Sequence, residues 1–131
     1  MTYFDASQGR HNPENWDPKS DAVAAAPDNH TVLYEDDRIR VLSVTLQPGI
    51  AEPLHHHRFP SIFVIDRIVP LRDFDAEGRE VQLPIPPQFD LPLVLQMPPQ
   101  PSHSVLNVGE TAFHGTRIEF KQGFPGAPVP Q

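Results

Sequence analysis

The chain contains no cysteine. That excludes a disulfide framework, thiolate-ligated zinc, iron–sulfur clusters and a cysteine nucleophile. A surplus of positive charge is also missing: 10 Lys and Arg stand against 17 Asp and Glu in 131 residues, a formal net charge of −7. Nucleic-acid binding then lacks its usual electrostatic basis, a basic face for the phosphates, and no nucleic-acid partner is expected. Long apolar runs are absent as well. The longest, Ala22 to Ala26, has five residues, whereas a membrane helix needs about 20. The opening residues MTYFDASQGR lack the basic-then-apolar order of a secretion signal. These absences lead to the expectation of a soluble cytoplasmic protein without a membrane partner. No nucleophile elbow, phosphate-binding glycine loop or zinc-protease helix motif occurs, which sets hydrolysis by those routes aside.

Proline, by contrast, is plentiful, with 17 residues in the chain. Proline breaks helices and is confined to turns, edges and bulges in sheets, so long helices have little room. The one helix-like stretch is 18–26, on alanine content alone. The expected class is all-β with many turns, in eight or nine short strands and one domain. Strands are predicted at 31–34, 38–46 and 51–57, and then in a buried run from 62 to about 74. Further strands are predicted at 80–83, 94–97, 103–108 and 112–121. Turn chemistry separates them at Asp36-Asp37, Pro48-Gly49, 75–78 and 98–102. The four prolines of 84–92 make that segment an extended connector. Residues 1–29 read as an arm, 30–121 as a barrel and 122–131 as a proline-rich tail.

Seven histidines stand out in this pattern, above all the run His55-His56-His57. On a strand, residues i and i+2 share a face, so His55 and His57 point together and His56 points away. Two inward imidazoles are costly to bury unless their nitrogens are bonded. A metal ion satisfies both, and imidazole suits Zn, Cu, Fe and Ni. An exposed strand end with three solvated rings is the alternative.

A third histidine makes the pattern specific. Gly49, five residues, then His55-His56-His57 resembles the first motif of the cupin superfamily. Pro98, His103 and Asn107 resemble the second. The glutamate of the first motif falls at Ser61 or Ile62, Gln100 stands where the second has glycine, and Pro92 replaces its leading glycine. The 45 residues between His57 and His103 exceed the compact cupin spacing. The resemblance covers roughly 31–121 and implies a cupin-type double-stranded β-helix, a jelly-roll barrel. It further implies one divalent transition metal (Fe, Ni, Zn, Cu or Mn) with His55, His57 and His103 as ligands, and Glu52 merely nearby. Three neutral ligands leave such an ion its full charge, which favours a small anionic or chelating molecule in the open positions.

Other residues carry two readings each. His114 is a satisfied strand histidine or a proton shuttle. Asn107 is a strand-end hydrogen-bonder rather than a ligand. Arg40 and Arg117 are solvated strand positions or guanidinium groups that orient an anion. Phe59, Phe63, Phe89, Phe113 and Phe120 are core residues, one or two of them lining a pocket. Glu35-Asp36-Asp37 is a solvated hairpin turn. The function expected from all this is a small metal-binding cupin, with three-histidine, dioxygenase-like chemistry as the enzymatic form. A ligand-binding or structural cupin without catalysis is the alternative. A homodimer is expected, since short edge strands need cover and cupins are commonly dimeric.

Overall fold

A computed structural model describes residues 13–126. The first twelve residues of the expected arm, His11 among them, and the last five of the expected tail lie outside the described residues. The strands are β1 (His30–Glu35), β2 (Ile39–Leu46), β3 (His55–His57), β4 (Ser61–Arg67) and β5 (Leu71–Asp75), then β6 (Glu80–Val81), β7 (Leu93–Met97), β8 (Gln100–Asn107) and β9 (Phe113–Phe120). They form two antiparallel sheets, one ordered β1-β2-β9-β4-β7 and the other β3-β8-β5-β6. Between them lies the interior of a jelly-roll barrel, as the all-β reading requires. Among the described residues, no helix is long and apolar enough to cross a membrane.

Alternation builds the walls. In β2 the side chains of Leu42, Val44 and Leu46 are buried, and β4 turns Ser61, Phe63 and Ile65 inwards. With Leu93, Met97 and Phe113 these apolar side chains make one core cluster, each full-sized member contributing about 1.5–3 kcal/mol through burial. The turns follow their chemistry. Asp36 Oδ1 accepts from the backbone N–H of Arg38 and Ile39 at 2.7 and 2.9 Å. Gly49 and Gly78 both take positive φ, at 78° and 80°, the region that L side chains rarely adopt. Gly115 is required for a different reason. A Cβ there would stand 2.5 Å from Cε1 of Phe63, so the Phe63 ring packs directly on the β9 backbone.

Several boundaries differ from the sequence reading. Of the expected strand at 51–57 only His55–His57 is paired as a strand, with an isolated bridge between Ala51 and Leu106; Pro53 lies between them. The expected run from 62 divides into β4 and β5, with Pro70 in the gap. Residues 98–102 are not simply a turn, because β8 begins at Gln100. Its pairing shifts between His55↔His103 and His57↔Gln100. Pro101 falls inside that shift, the kind of irregularity at which a sheet tolerates proline. Phe89, expected in the core, is exposed on the connector. The helix of the 18–26 stretch is only Ala22–Ala25, after a 3-10 turn at Pro18–Ser20.

That short segment matters for the site. Asp21 caps the helix through Val23 N, bridges to His56 on β3, and pairs with Arg40 at 3.0 Å. Residues 13–26 are thereby held across the outer side of the histidine strand.

Candidate metal centre

The antiparallel β3–β8 ladder places His55 opposite His103. The ring centroids of His55 and His57 are 4.9 Å apart, those of His55 and His103 4.8 Å, and those of His57 and His103 5.8 Å. The structure therefore brings the three sequence-predicted residues together, and it adds two that sequence reasoning left aside. His30, the first residue of β1, packs its ring 4.7 Å from that of His55 and 5.3 Å from that of His57. Glu52, expected only to lie near, directs its carboxylate into the same cluster. All five side chains are buried. Two triads of ligand-type atoms meet at His55: His30, His55 and His57, and Glu52, His55 and His103, each with its atoms within 4.8 Å of one another; the sequence-predicted set His55, His57 and His103 is not one of them, its members being divided between the two.

The hydrogen bonds fix which nitrogen each ring offers. Nδ1 of His55 lies 2.8 Å from the Pro53 carbonyl, and Nδ1 of His30 lies 3.0 Å from that of Ala26. A carbonyl can only accept, so in both rings Nδ1 carries the proton and a neutral ring keeps its lone pair at Nε2. His103 donates from Nδ1 to Asp73 Oδ1 at 2.8 Å, and His57 from Nδ1 to Glu119 Oε2 at 3.3 Å. Every ring of the cluster is thus anchored through Nδ1 by an oxygen acceptor, the arrangement that orients metal-binding imidazoles. Nε2 of His55 and Nε2 of His103 are buried without any hydrogen-bond partner. Orphaned polar atoms of that kind are rare in folded proteins, and a cation between them satisfies both. The donor set fits a divalent transition metal.

Electrostatics agree with neutral rings. Burial holds His55 down to about 2, helped by repulsion from His103, and holds His30 down to about 4. Burial, with Arg117 next, keeps His57 well below its ordinary 6.5. Burial, with the Asp73 carboxylate adding to it, raises Glu52 to about 7, and burial also raises Glu119.

These shifts predict a stability optimum for the metal-free protein. An imidazole held below 6.5 contributes fully above that pH and loses the contribution as pH falls through the folded value. A carboxyl raised from 4.5 behaves oppositely: its contribution is full below 4.5 and is lost as pH rises through the folded value, about 7 for Glu52. Three imidazoles outweigh two carboxyls on the acid side, so stability should peak near about pH 6.5. Urea midpoints measured from acid to mild alkali check this. A midpoint higher at pH 5 than at pH 6.5 would contradict it.

The position where the first motif carries glutamate holds a different device. Ser61 is fully buried, and its Oγ accepts from Arg117 Nη1 at 2.9 Å, while Arg117 Nη2 donates to Gln100 Oε1 at 2.8 Å. The guanidinium also lies 4.6 Å from the Phe63 ring centroid. Arg117 is therefore not a solvated strand position; its place on the inward side of β9 and its cross-strand neighbours Ser61 and Phe63 bury it. Arg40 is likewise inside, paired with Asp21 and Glu119. Nor does the cluster lack negative groups, as the serine at 61 suggested. Glu52, Asp73 and Glu119 all reach it, from a loop and from two strands that local spacing cannot relate to the histidines.

His56 does point away from the cluster, yet it is not solvated. Trp16 packs 5.1 Å from its ring, and its Nε2 bonds the Asp17 carbonyl at 2.7 Å. His114 stays outside too, bonded to Asp66 and, at 3.2 Å, to Ser43, which leaves the shuttle reading without geometric support. Asn107 is structural. Its Nδ2 donates to the Leu46 and Thr111 carbonyls, each at 2.9 Å, and its Oδ1 accepts from Gly109 N.

Beside the histidines lies a cavity of about 70 Å³, with His30, Glu52, His57, His103 and Arg117 at its polar side. Asp73 and Gln100 also border it, and the rest of its wall is apolar, including Leu46, Phe63, Ile65, Leu95, Met97 and Phe113.

No protein-family model matches the sequence, and no curated protein matches it. Solved structures do. A cupin domain from Bordetella pertussis Tohama I is 26% identical, with a TM-score of 0.59, over 70% of this chain and 91% of that one. An RmlC-like cupin family protein with a double-stranded β-helix fold, from Methanocaldococcus jannaschii, is 9% identical with a TM-score of 0.51, over 70% of this chain and 77% of that one. The second likeness concerns the fold alone.

Proposed function

We propose that this chain, a single-domain cupin of the cupin superfamily, holds one divalent transition metal at His55, His57 and His103. It presents that ion to a small molecule with an anionic or chelating end and an apolar body. The observation that carries the reading is the pair of buried, partnerless Nε2 atoms on His55 and His103, in a cluster whose Nδ1 atoms are all anchored. When bound, a divalent ion supplies Lewis acidity to an oxygen ligand, and iron adds chemistry with dioxygen.

The chain's own residues supply the rest. Asp73 and Glu119 hold His103 and His57 in the tautomer that leaves Nε2 bare. Arg117, hydrogen-bonded to Ser61 and Gln100, lines the cavity and would orient an anion there. The Phe63 and Phe113 walls keep water from the polar end. The enzymatic form we propose is oxidative, dioxygenase-like chemistry on a small carboxylate or diketone; binding without turnover is the alternative.

Two measurements test it. Iron-loaded protein is expected to consume oxygen with at least one member of a panel of small apolar carboxylates and diketones. In calorimetry, Arg117→Met should weaken binding of such a carboxylate by about 10–100-fold, the worth of one charge-assisted hydrogen bond, while metal content stays unchanged. No oxygen uptake by any panel member would sink the enzymatic reading. Equal carboxylate affinity in Arg117→Met would remove Arg117 from it.

A further inference from the structure

We propose that Glu52 supplies the carboxylate ligand of this metal centre and His30 its fourth imidazole, two ligands that neither histidine motif contains. The inference rests on the metal-binding reading above and extends it to residues outside the motifs.

The geometry around Glu52 is that of a ligand. Its backbone N–H donates to the Val105 carbonyl at 3.0 Å, which fixes the loop ahead of β3 against β8. From there the two carboxylate oxygens divide between two rings. Oε1 lies 3.7 Å from Nε2 of His55, and Oε2 lies 4.0 Å from Nε2 of His30. Both distances are too long for hydrogen bonds. They suit atoms that share one ion, since ligands held at about 2.0–2.1 Å from a centre lie roughly 3–4 Å from each other.

The other buried carboxylates each hold a ring from behind, although Asp73 Oδ2 has no hydrogen-bond partner of its own. Asp73 Oδ1 accepts from Nδ1 of His103, and Glu119 accepts from Arg40 and from Nδ1 of His57. Both therefore act on the far nitrogens. Glu52 is the carboxylate that faces Nε2 atoms. At the motif position, Ser61 offers only a hydroxyl, and Arg117 beside it brings positive charge. A carboxylate ligand cannot come from there, so the centre takes its negative charge from three residues ahead of His55.

His30 repeats the pattern of the motif histidines. Its Nδ1 is anchored on a backbone carbonyl, its ring stands edge-on to His55 and His57, and it joins them in one of the two triads. The two triads share His55 but do not merge into one set of mutually close atoms, so binding one ion must draw the His30 and Glu52 sides together around that ring. The Asn29 side chain donates to the Thr45 carbonyl at 3.1 Å, and this bond secures the start of β1 where His30 must stand.

Cobalt(II) alone is the probe, added to metal-free wild type, Glu52→Gln, His30→Gln and His114→Ala in competition with a chelator. Wild type and His114→Ala should bind one equivalent with equal affinity. Glu52→Gln should bind about 100-fold more weakly and His30→Gln at least about 10-fold more weakly, losses at or above those from disturbing a supporting group. X-ray absorption of the cobalt-loaded wild type should count four imidazoles and an additional oxygen ligand, and needs no variant to fold. Wild-type binding with both variants within threefold of it overturns the ligand assignment and leaves the metal reading standing. A count of three imidazoles without a carboxylate does the same. Wild type that takes up no cobalt overturns both.

Discussion

Replacing His55 by alanine is expected to empty the metal site while leaving the barrel folded. His55 belongs to both triads of ligand-type atoms, and no other ring can take its place opposite His103 in the β3–β8 ladder. Removing a directly coordinating imidazole should lower the affinity by about 100-fold or more, beyond the roughly 10–100-fold loss from disturbing a supporting group. His56→Ala is the matched comparison. Its ring faces Trp16 and Asp17 rather than the cluster, so metal affinity should stay within about threefold, with some loss of stability from the buried hydrogen bond. Chelator competition on both variants reads this directly. If His56→Ala loses the metal and His55→Ala keeps it, the assignment of inward and outward faces on β3 is wrong.

The second large effect concerns stability. Glu119 is fully buried on β9, paired with Arg40 and bonded to Nδ1 of His57. Glu119→Ala leaves a guanidinium with only Asp21 and an imidazole without its acceptor. Breaking a buried pair from one side costs about 3–5 kcal/mol, and the remaining Asp21 contact places the expected loss near about 3 kcal/mol. Asp66→Ala removes a much more exposed partner of His114 and should cost under about 1 kcal/mol. Urea denaturation of the two variants separates the cases. Equal losses would mean that the Glu119 pairing contributes no more than a surface contact.

What the sequence disclosed follows from the range of its signals. The alternation of β2, the turn residues and the i, i+2 spacing of His55 and His57 are local, and each led to the observed feature. His103 became legible only through its resemblance to a motif, because nothing in local spacing relates it to residue 55. His30 and Glu52 were missed as members of the cluster for the same reason. One heads an edge strand and the other sits in a proline-interrupted loop, and neither pattern is distinctive alone. Arg117 and Glu119 sit at alternate positions of β9, a spacing that equally suits a wet face; only pairing with Ser61 and Phe63 on β4 shows them to be inside. The burial of His56 was equally hidden, since the cover comes from Trp16, forty residues earlier in the chain. The strand at Gln100 was misread because proline at 101 signals a turn, and only the register shift against β3 makes room for it.

On this proposal the buried imidazoles around His55 form a metal site. Its most direct test is the metal content of protein produced without an affinity tag, measured by mass spectrometry after exhaustive dialysis and again after reloading with a divalent transition metal. About one equivalent per chain, retained through dialysis and lost on treatment with a strong chelator, is the predicted result. A chain that retains no transition metal before or after reloading would contradict it.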